Sequence, residues 1–215
     1  MTFFTAETEQ QLLHWQQEGA LQLAVTCDQQ HRYLWINQQC QSQLRLSDPA
    51  QLCYPHLQAM LAQLPAQLHQ VLQLGLGGGE FNRALGQGWP EVSLLTIESS
   101  AAVIALYQQY FQLPDAQEHC CCQDAYQFLL QAPPGGFELI FVDLYPTPAD
   151  VANWLVLLQS LLVAGGQLWL NLTDPTLLAA VAAQSAQLQP QWPHQFSSQQ
   201  FAGYQNQLCL LQASR

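Results

Sequence analysis

The groups able to do chemistry fall in order along the chain. A glycine run, Gly75-Leu76-Gly77-Gly78-Gly79, is followed by Glu98, Asp124 and Asp143. Each follows a short apolar stretch: 71–74, 92–97, 120–122 and 139–142. Read as parallel strands, these stretches place all four groups at strand carboxyl ends, where open α/β sheets bind ligands. Glycines let the backbone approach a ligand and reach positive φ. A carboxylate after the second strand can accept both hydroxyls of a ribose. An aspartate after the third can accept from an exocyclic amine such as adenine's. One after the fourth would sit beside the reactive end of that nucleoside. Each also has a plainer reading: a tight turn, a solvated loop acid, an N-cap for a helix over 125–131, and a turn former before Pro146. Their order at successive strand ends is what makes the set informative.

The loop also separates cofactor classes. The dinucleotide fingerprint needs a small residue five places after its first glycine. Here that place, counted from Gly75, is Glu80. A carboxylate at a helix start suits the helix dipole but repels a pyrophosphate. A cationic sulfonium nucleoside tolerates it, which favours an S-adenosylmethionine-type ligand over NAD.

The positioning elements follow from periodicity. Strands are expected at 21–25, 33–36 and 41–46, after a short helix within 5–18. A helix is expected from Asp48-Pro49 to about Leu64, ended by Pro65. Strands then alternate with helices from about 70 to 190. Helices are predicted from near Glu80 and at 101–110, 125–131, 149–162 and 175–187, with a fifth strand at 167–172. The tail reads as a strand pair, 195–198 and 207–211, joined by a turn at Gly203. The predicted fold is α/β, a Rossmann-like, mostly parallel sheet with an antiparallel C-terminal edge, plus a small N-terminal β-rich segment. The boundary is set near Pro65, between 1–64 and 65–215.

Composition narrows the function. The 215 residues carry 4 Lys plus Arg against 15 Asp plus Glu, a net charge of −11. All four cations are arginines. No basic footprint for nucleic acid or an anionic membrane is present. No apolar run reaches a membrane span, and Met1–Thr5 lacks signal-peptide character, so a soluble, cytoplasmic protein is expected. The 7 cysteines include no C-x-x-C pair. Cys120, Cys121 and Cys122 point to alternating faces on a strand, so they are read as free thiols and no metal site is expected. Glutamine is spread through the chain without forming a tract.

The segments 71–80, Arg83-Ala84-Leu85, 95–98, Asp124-Ala125, 141–144 and 165–172 resemble the spermidine synthase family and its shorter bacterial relatives. Upstream, Gln41, Asp48-Pro49 and Tyr54 resemble the segment joining that family's N-terminal β-domain to its catalytic domain. The resemblance spans about residues 20–212. It implies a class I methyltransferase-like fold and transfer of an aminopropyl group from decarboxylated S-adenosylmethionine to an amine. It implies that Glu98 binds the ribose and that Asp124 with Ala125 meets the adenine. Gly75, Gly77, Gly78 and Gly79 would line the nucleoside, Gln41 would touch it, and Asp143 would take the proton from the attacking amine. Tyr54, Glu80 and Tyr145 would shape the acceptor pocket. Family members are often dimers, so a homodimer is one assembly the resemblance allows.

The chain departs from the family in the amine half of the site. The family's loop aspartate falls at Gly78, a second aspartate at Pro146, and an acidic pair at Ala50-Gln51. Three readings therefore stand: a transferase with a degenerate amine site, an S-adenosylmethionine-dependent methyltransferase, and a non-catalytic nucleoside-binding or interaction protein.

Overall fold

The computed structural model describes residues 10–114, 116, 118–144 and 147–214. Four antiparallel strands in sequential order open the chain: β1 (Gln11–Glu18), β2 (Leu21–Cys27), β3 (His31–Ile36) and β4 (Gln39–Arg45). Of the helix expected within 5–18, residues 5–9 lie outside the described residues and 11–18 are a strand. Leu12, Leu13 and Trp15 fit a helical face equally well, but β1 pairs along its length with β2, with a register shift between Leu12 and His14. Tertiary pairing overrides a weak local pattern there.

The expected helix over 48–64 shortens to α1 (Pro55–Leu61). Pro55 holds the preceding Tyr54 extended and is itself well placed at a helix start. Residues 47–54 instead form a connector, several of whose backbone groups are taken up by side chains of a later helix, as described below.

The remaining strands and helices alternate: β5 (Gln70–Leu74), α2 (Glu80–Gly88), β6 (Ser93–Glu98), α3 (Ala101–Tyr110), β7 (His119–Cys122), α4 (Ala125–Gln131), β8 (Phe137–Val142), α5 (Val151–Leu161), β9 (Leu162–Leu172) and α6 (Pro175–Leu188). An antiparallel pair, β10 (His194–Gln200) and β11 (Gln207–Ala213), closes the sheet. The sheet order is β10-β11-β9-β8-β5-β6-β7. The chain runs outward from β5 through β6 to β7, then returns to place β8 on the other side of β5. The switch point therefore lies between β5 and β8, which pair in parallel. The predicted architecture, parallel core and antiparallel edge together, is the one observed. The seven thiols are free.

Apolar residues fill both faces of this sheet. Leu72, Leu74, Ile140, Val142, Leu155 and Leu158 belong to one cluster, and Val71, Phe81, Leu85, Phe141 and Trp169 to the other. A third cluster joins the two sheets: Leu23, Val25 and Leu34 pack with Leu76, Leu106, Tyr107 and Phe111. The N-terminal sheet is thereby held over the end of the glycine run.

Arg83 pins this junction. It is 2% exposed and meets backbone carbonyls from four parts of the chain. Its Nε donates to Pro49 O at 2.7 Å, its Nη2 to Gln43 O at 3.3 Å, and its Nη1 to Gly78 O and to Phe111 O. Connector, β4, glycine run and the end of α3 are tied to one guanidinium. Arg83→Met keeps the stem but leaves these carbonyls without their donor, each costing about 1–3 kcal/mol where water cannot enter. The expected loss of unfolding free energy in urea is at least about 3 kcal/mol. A loss under about 1 kcal/mol would show that the carbonyls find other donors.

Candidate functional site

A cavity of about 590 Å³ opens above the carboxyl ends of β5 and β8, a size suited to a small-molecule ligand. Its floor is the switch point. Gly75, Leu76, Gly77, Glu98 and Asp143 line it there. β4 supplies one wall through Gln39, Cys40, Gln41 and Ser42. Tyr54, His56 and Leu57 supply a second. Asn171 and Thr173 at the end of β9, with Gln205 and Asn206 from the β10–β11 connection, close the third.

Local geometry explains the floor. Gly75 N donates to Ile97 O at 2.8 Å, and Asp143 N donates to Leu74 O at 2.9 Å, so both strand ends are drawn against β5. Gly75 has φ +89°, and a Cβ there would lie 2.3 Å from Asp143 O. Only glycine permits that approach, which brings Asp143 to the head of the cavity.

Asp143 is half-buried. Burial pushes its carboxyl up from the ordinary aspartate value, and the bond from Asn171 pulls it back. Asn171 Nδ2 donates to Asp143 Oδ1 at 2.7 Å, and Asn206 Nδ2 donates to Asn171 Oδ1 at 3.0 Å. This relay holds one carboxylate oxygen, and among the described residues no donor meets the other. Asn171 lies in the segment 165–172 that carries the family resemblance, but the sequence assigned it no role. Asn206 and His56 carried no signal, because their roles arise from a connection and a helix packed across the sheet.

Glu98 is held by backbone donors. Its Oε1 accepts from Ser100 N at 2.9 Å and its Oε2 from Leu76 N at 3.1 Å. The exposed Ser99 hydroxyl adds a long contact to Oε1 at 3.4 Å, and only when it turns to water does a carboxylate's set of about four acceptor sites keep room for a pair of hydroxyls.

Glu80, the first residue of α2, faces the cavity rather than solvent and is 5% exposed. Its Oε1 accepts from Tyr54 N at 3.1 Å and also from Cys53 N. It thus holds the connector that would otherwise continue as helix. Burial pushes its carboxyl up to about 7, opposed by those two bonds and by Arg83, and assisted by the charge of Asp143.

The structure brings together Gln41, Tyr54, Gly75, Gly77, Glu80, Glu98 and Asp143 from the predicted set. Gly78, Gly79, Asp124 and Ala125 are not among the lining residues. Gly78 N donates to Ser42 Oγ at 2.8 Å, and a Cβ on Gly78 would lie 2.5 Å from Ser42 Cβ. The N-terminal sheet occupies the space that the family's loop aspartate would need, so Gly78 docks the two sheets. Gly79 faces Tyr107, whose ring a Cβ would meet at 2.1 Å. Asp124 is exposed and caps α4, accepting from Gln127 N at 2.9 Å, while Ala125 is buried in the first turn. Tyr145 and Pro146 lie outside the described residues. Among the described residues no cluster of three His, Cys, Asp or Glu side chains could hold a metal, and no helix is long and apolar enough to cross a membrane.

Comparison with known proteins bears on the fold. No family model matches the chain. A polyamine aminopropyltransferase of Chromobacterium violaceum is 34% identical over 77 residues, 35% of this chain and 30% of that protein. The match thus spans less than a third of that relative's length. A probable spermidine synthase from Corynebacterium glutamicum superposes with a TM-score of 0.78 at 15% identity, over 93% of this chain and 79% of that one. Spermidine synthase from Thermotoga maritima gives 0.68 at 13% identity, over 95% and 73%. Human methyltransferase-like protein 13, solved in complex with SAH, gives 0.63 at 22% identity, over 74% and 82%. The fold is the one shared by spermidine synthases and class I methyltransferases. The matches support the resemblance to a spermidine synthase-like family.

The raised carboxyl of Glu80 has a consequence for stability. A carboxyl raised on folding keeps its proton in the native state over a range where the unfolded chain has lost it. Its contribution therefore falls as pH rises from about 4.5 to about 7. The full swing is about 3 kcal/mol. Glu80→Gln, which keeps the acceptor for Cys53 and Tyr54, should remove that part of the slope in urea unfolding curves across this range. Equal slopes in the two proteins would place Glu80 at an ordinary carboxyl value.

Proposed function

We propose that this chain, with its spermidine synthase-like fold, is a transferase that binds a sulfonium nucleoside and moves an aminopropyl group from decarboxylated S-adenosylmethionine to an amine. The observation that carries this reading is the charge of the cavity. Glu98, Asp143 and Glu80, the last with its carboxyl pushed up to about 7, line it, and among the described residues no arginine does. His56 adds no positive charge at neutral pH, because burial drives its pKa down to about 4. Such a site attracts a cation and disfavours phosphates. A sulfonium nucleoside and an ammonium both fit it.

The residues divide the work. Glu98 accepts from the ribose hydroxyls, and the Gly75–Gly77 turn lets the nucleoside lie against backbone. Asp143 stands at the reacting end. An ammonium has no lone pair to attack with, so the amine must lose a proton to react. Asp143, raised by burial and oriented by Asn171, is a suitable acceptor for it. The amine nitrogen then forms a bond to the carbon attached to sulfur. The carbon–sulfur bond breaks with its electron pair going to sulfur, which leaves neutral methylthioadenosine. The acceptor is a small amine, and a cytoplasmic setting is part of the same proposal.

A methyltransferase reading is favoured by one feature: Gly78 carries no carboxylate to repel the methionine carboxylate of intact S-adenosylmethionine. The first experiment separates the two. Thermal-shift titration with decarboxylated S-adenosylmethionine, intact S-adenosylmethionine and methylthioadenosine should stabilise the protein with the first and third. A ligand at about 100 times its Kd adds roughly 2.7 kcal/mol. Stabilisation by the intact form alone would select methyl transfer, and none by any of the three would remove the nucleoside reading. Asp143→Asn should abolish turnover with nucleoside affinity nearly unchanged. Glu98→Ala should weaken every adenosine ligand by about tenfold or more, the loss of a charge-assisted contact.

A further inference from the structure

Three neighbouring strands bring Asp143, Asn171 and Asn206 into one row. β9 lies between β8 and β11. Asp143 follows Val142, whose partner Leu170 precedes Asn171. Asn206 precedes Gln207, whose partner Leu172 follows Asn171. Ladder register therefore sets the row. Its bonds are short: 2.7 Å from Asn171 Nδ2 to Asp143 Oδ1, and 3.0 Å from Asn206 Nδ2 to Asn171 Oδ1. Asn171 is 4% exposed, so its amide depends on these two neighbours rather than on water.

A primary amide has a donor end and an acceptor end of nearly equal size, so Asn171 can present either to Asp143. With its NH2 group there it stabilises the carboxylate. With its carbonyl there it repels a carboxylate and accepts only from a protonated one. Asn206 acts on that choice from the far side. Its NH2 group draws the Asn171 carbonyl away from Asp143. The bond it gives also strengthens the next one, because hydrogen bonds in a chain polarise one another. The ionised form of Asp143 gains most from that, since its bond to Asn171 is charge-assisted.

We propose that Asn206 is a positioning residue that acts through Asn171 to keep Asp143 ionised and to direct an incoming proton to its Oδ2. Asn171 already occupies Oδ1. This deepens the transferase reading and rests on it only for the amine that delivers the proton. The other titratable groups lining the cavity are Glu80, Glu98, Cys40, Tyr54 and His56. The two carboxyls, when charged, favour a protonated Asp143. Cys40 and Tyr54 are pushed up by burial and His56 is pushed down to about 4, so all three are neutral at pH 7. Burial also pushes Asp143 up, and the bond from Asn171 opposes it. The donor behind Asn171 is carried by the connection between β10 and β11. That connection is seated beside α1: Phe201 meets His56 edge-on at 6.2 Å, and Tyr204 meets Tyr54 edge-on at 6.5 Å. The segment that closes the cavity thus also sets the proton affinity of the group at its head.

The test needs no ligand. Carbon-13 NMR of protein labelled at its aspartate carboxyls follows the titration of Asp143 directly, and Asp143→Asn identifies its signal. Asn206→Ala should raise the Asp143 midpoint by about half a pH unit or more, the loss of one supporting hydrogen bond. In an Asn171→Ala background the same change should move it by less than about 0.3 of a unit, because the path between the two residues is gone. A midpoint that does not rise, or an equal rise with and without Asn171, overturns the proposal. Melting temperatures report that each variant is folded. Where Asn206→Ala does not fold, Asn206→Asp carries the same comparison. It keeps the shape and puts an acceptor where the donor was, so Asn171 turns its NH2 group away from Asp143. The midpoint should then rise by about one unit or more, and that rise should at least halve without Asn171, when only charge repulsion is left. An undiminished rise overturns the proposal. Nucleoside binding is decided separately. Coupled shifts in a protein that binds no nucleoside keep the relay and end the transferase reading. Nucleoside binding without coupled shifts ends the relay alone.

Discussion

The buried guanidinium of Arg83 is the constraint on which the rest depends. A cation this deep is stable only where fixed acceptors surround it. Here they are backbone carbonyls of the connector, β4, the glycine run and the end of α3. Those are the pieces that bring the small N-terminal sheet against the large one. Without that junction the cavity would lose the wall formed by residues 39–42. The interaction also fixes the carbonyl of Gly78, whose N–H is held from the other side by Ser42. The glycine run is therefore gripped at one residue from two directions.

Next to this cation sits its electrostatic counterpart. Glu80 begins α2 three residues before Arg83, and each shifts the other's ionisation towards the charged form. Burial opposes that in both. Glu80 links three tasks: it satisfies the N–H groups of the connector, adds negative potential to the cavity, and leaves one oxygen without a donor. With Asp143 and Glu98 it gives the cavity an acidic lining in a chain of net charge −11. The low dielectric there makes any charge mismatch with a ligand more costly than it would be in water.

Much of the fold was legible because its signals are local. The stretches 71–74, 92–97 and 139–142 are short and apolar, and each is followed by a glycine or an acid. That pattern identifies buried parallel strands and also the end at which their polar residues emerge. The first strand was not legible. Leu12, Leu13 and Trp15 match a helical face as well as a bulged strand, and pairing with β2 decides between them. The connector at 47–54 misled for a similar reason. Its helical spacing is real, but Pro55 and the demands of Glu80 and Arg83 on its backbone hold it open.

For the site, residue type and order alone determined that a glycine turn, Glu98 and Asp143 would meet at the switch point, because strand alternation dictates where strand ends lie. Tertiary structure alone decided which neighbouring residues share that space. Gly78 docks against Ser42, Asp124 caps α4 as its plainer reading expects, and neither is among the residues that line the cavity. Gln73, His56, Asn171 and Asn206 joined the cavity from a central strand, a helix, a strand end and a distant connection. The physical reason is that a side chain's direction follows locally from its strand or helix. Whether it meets a cavity, another sheet or solvent depends on packing between elements far apart in the chain.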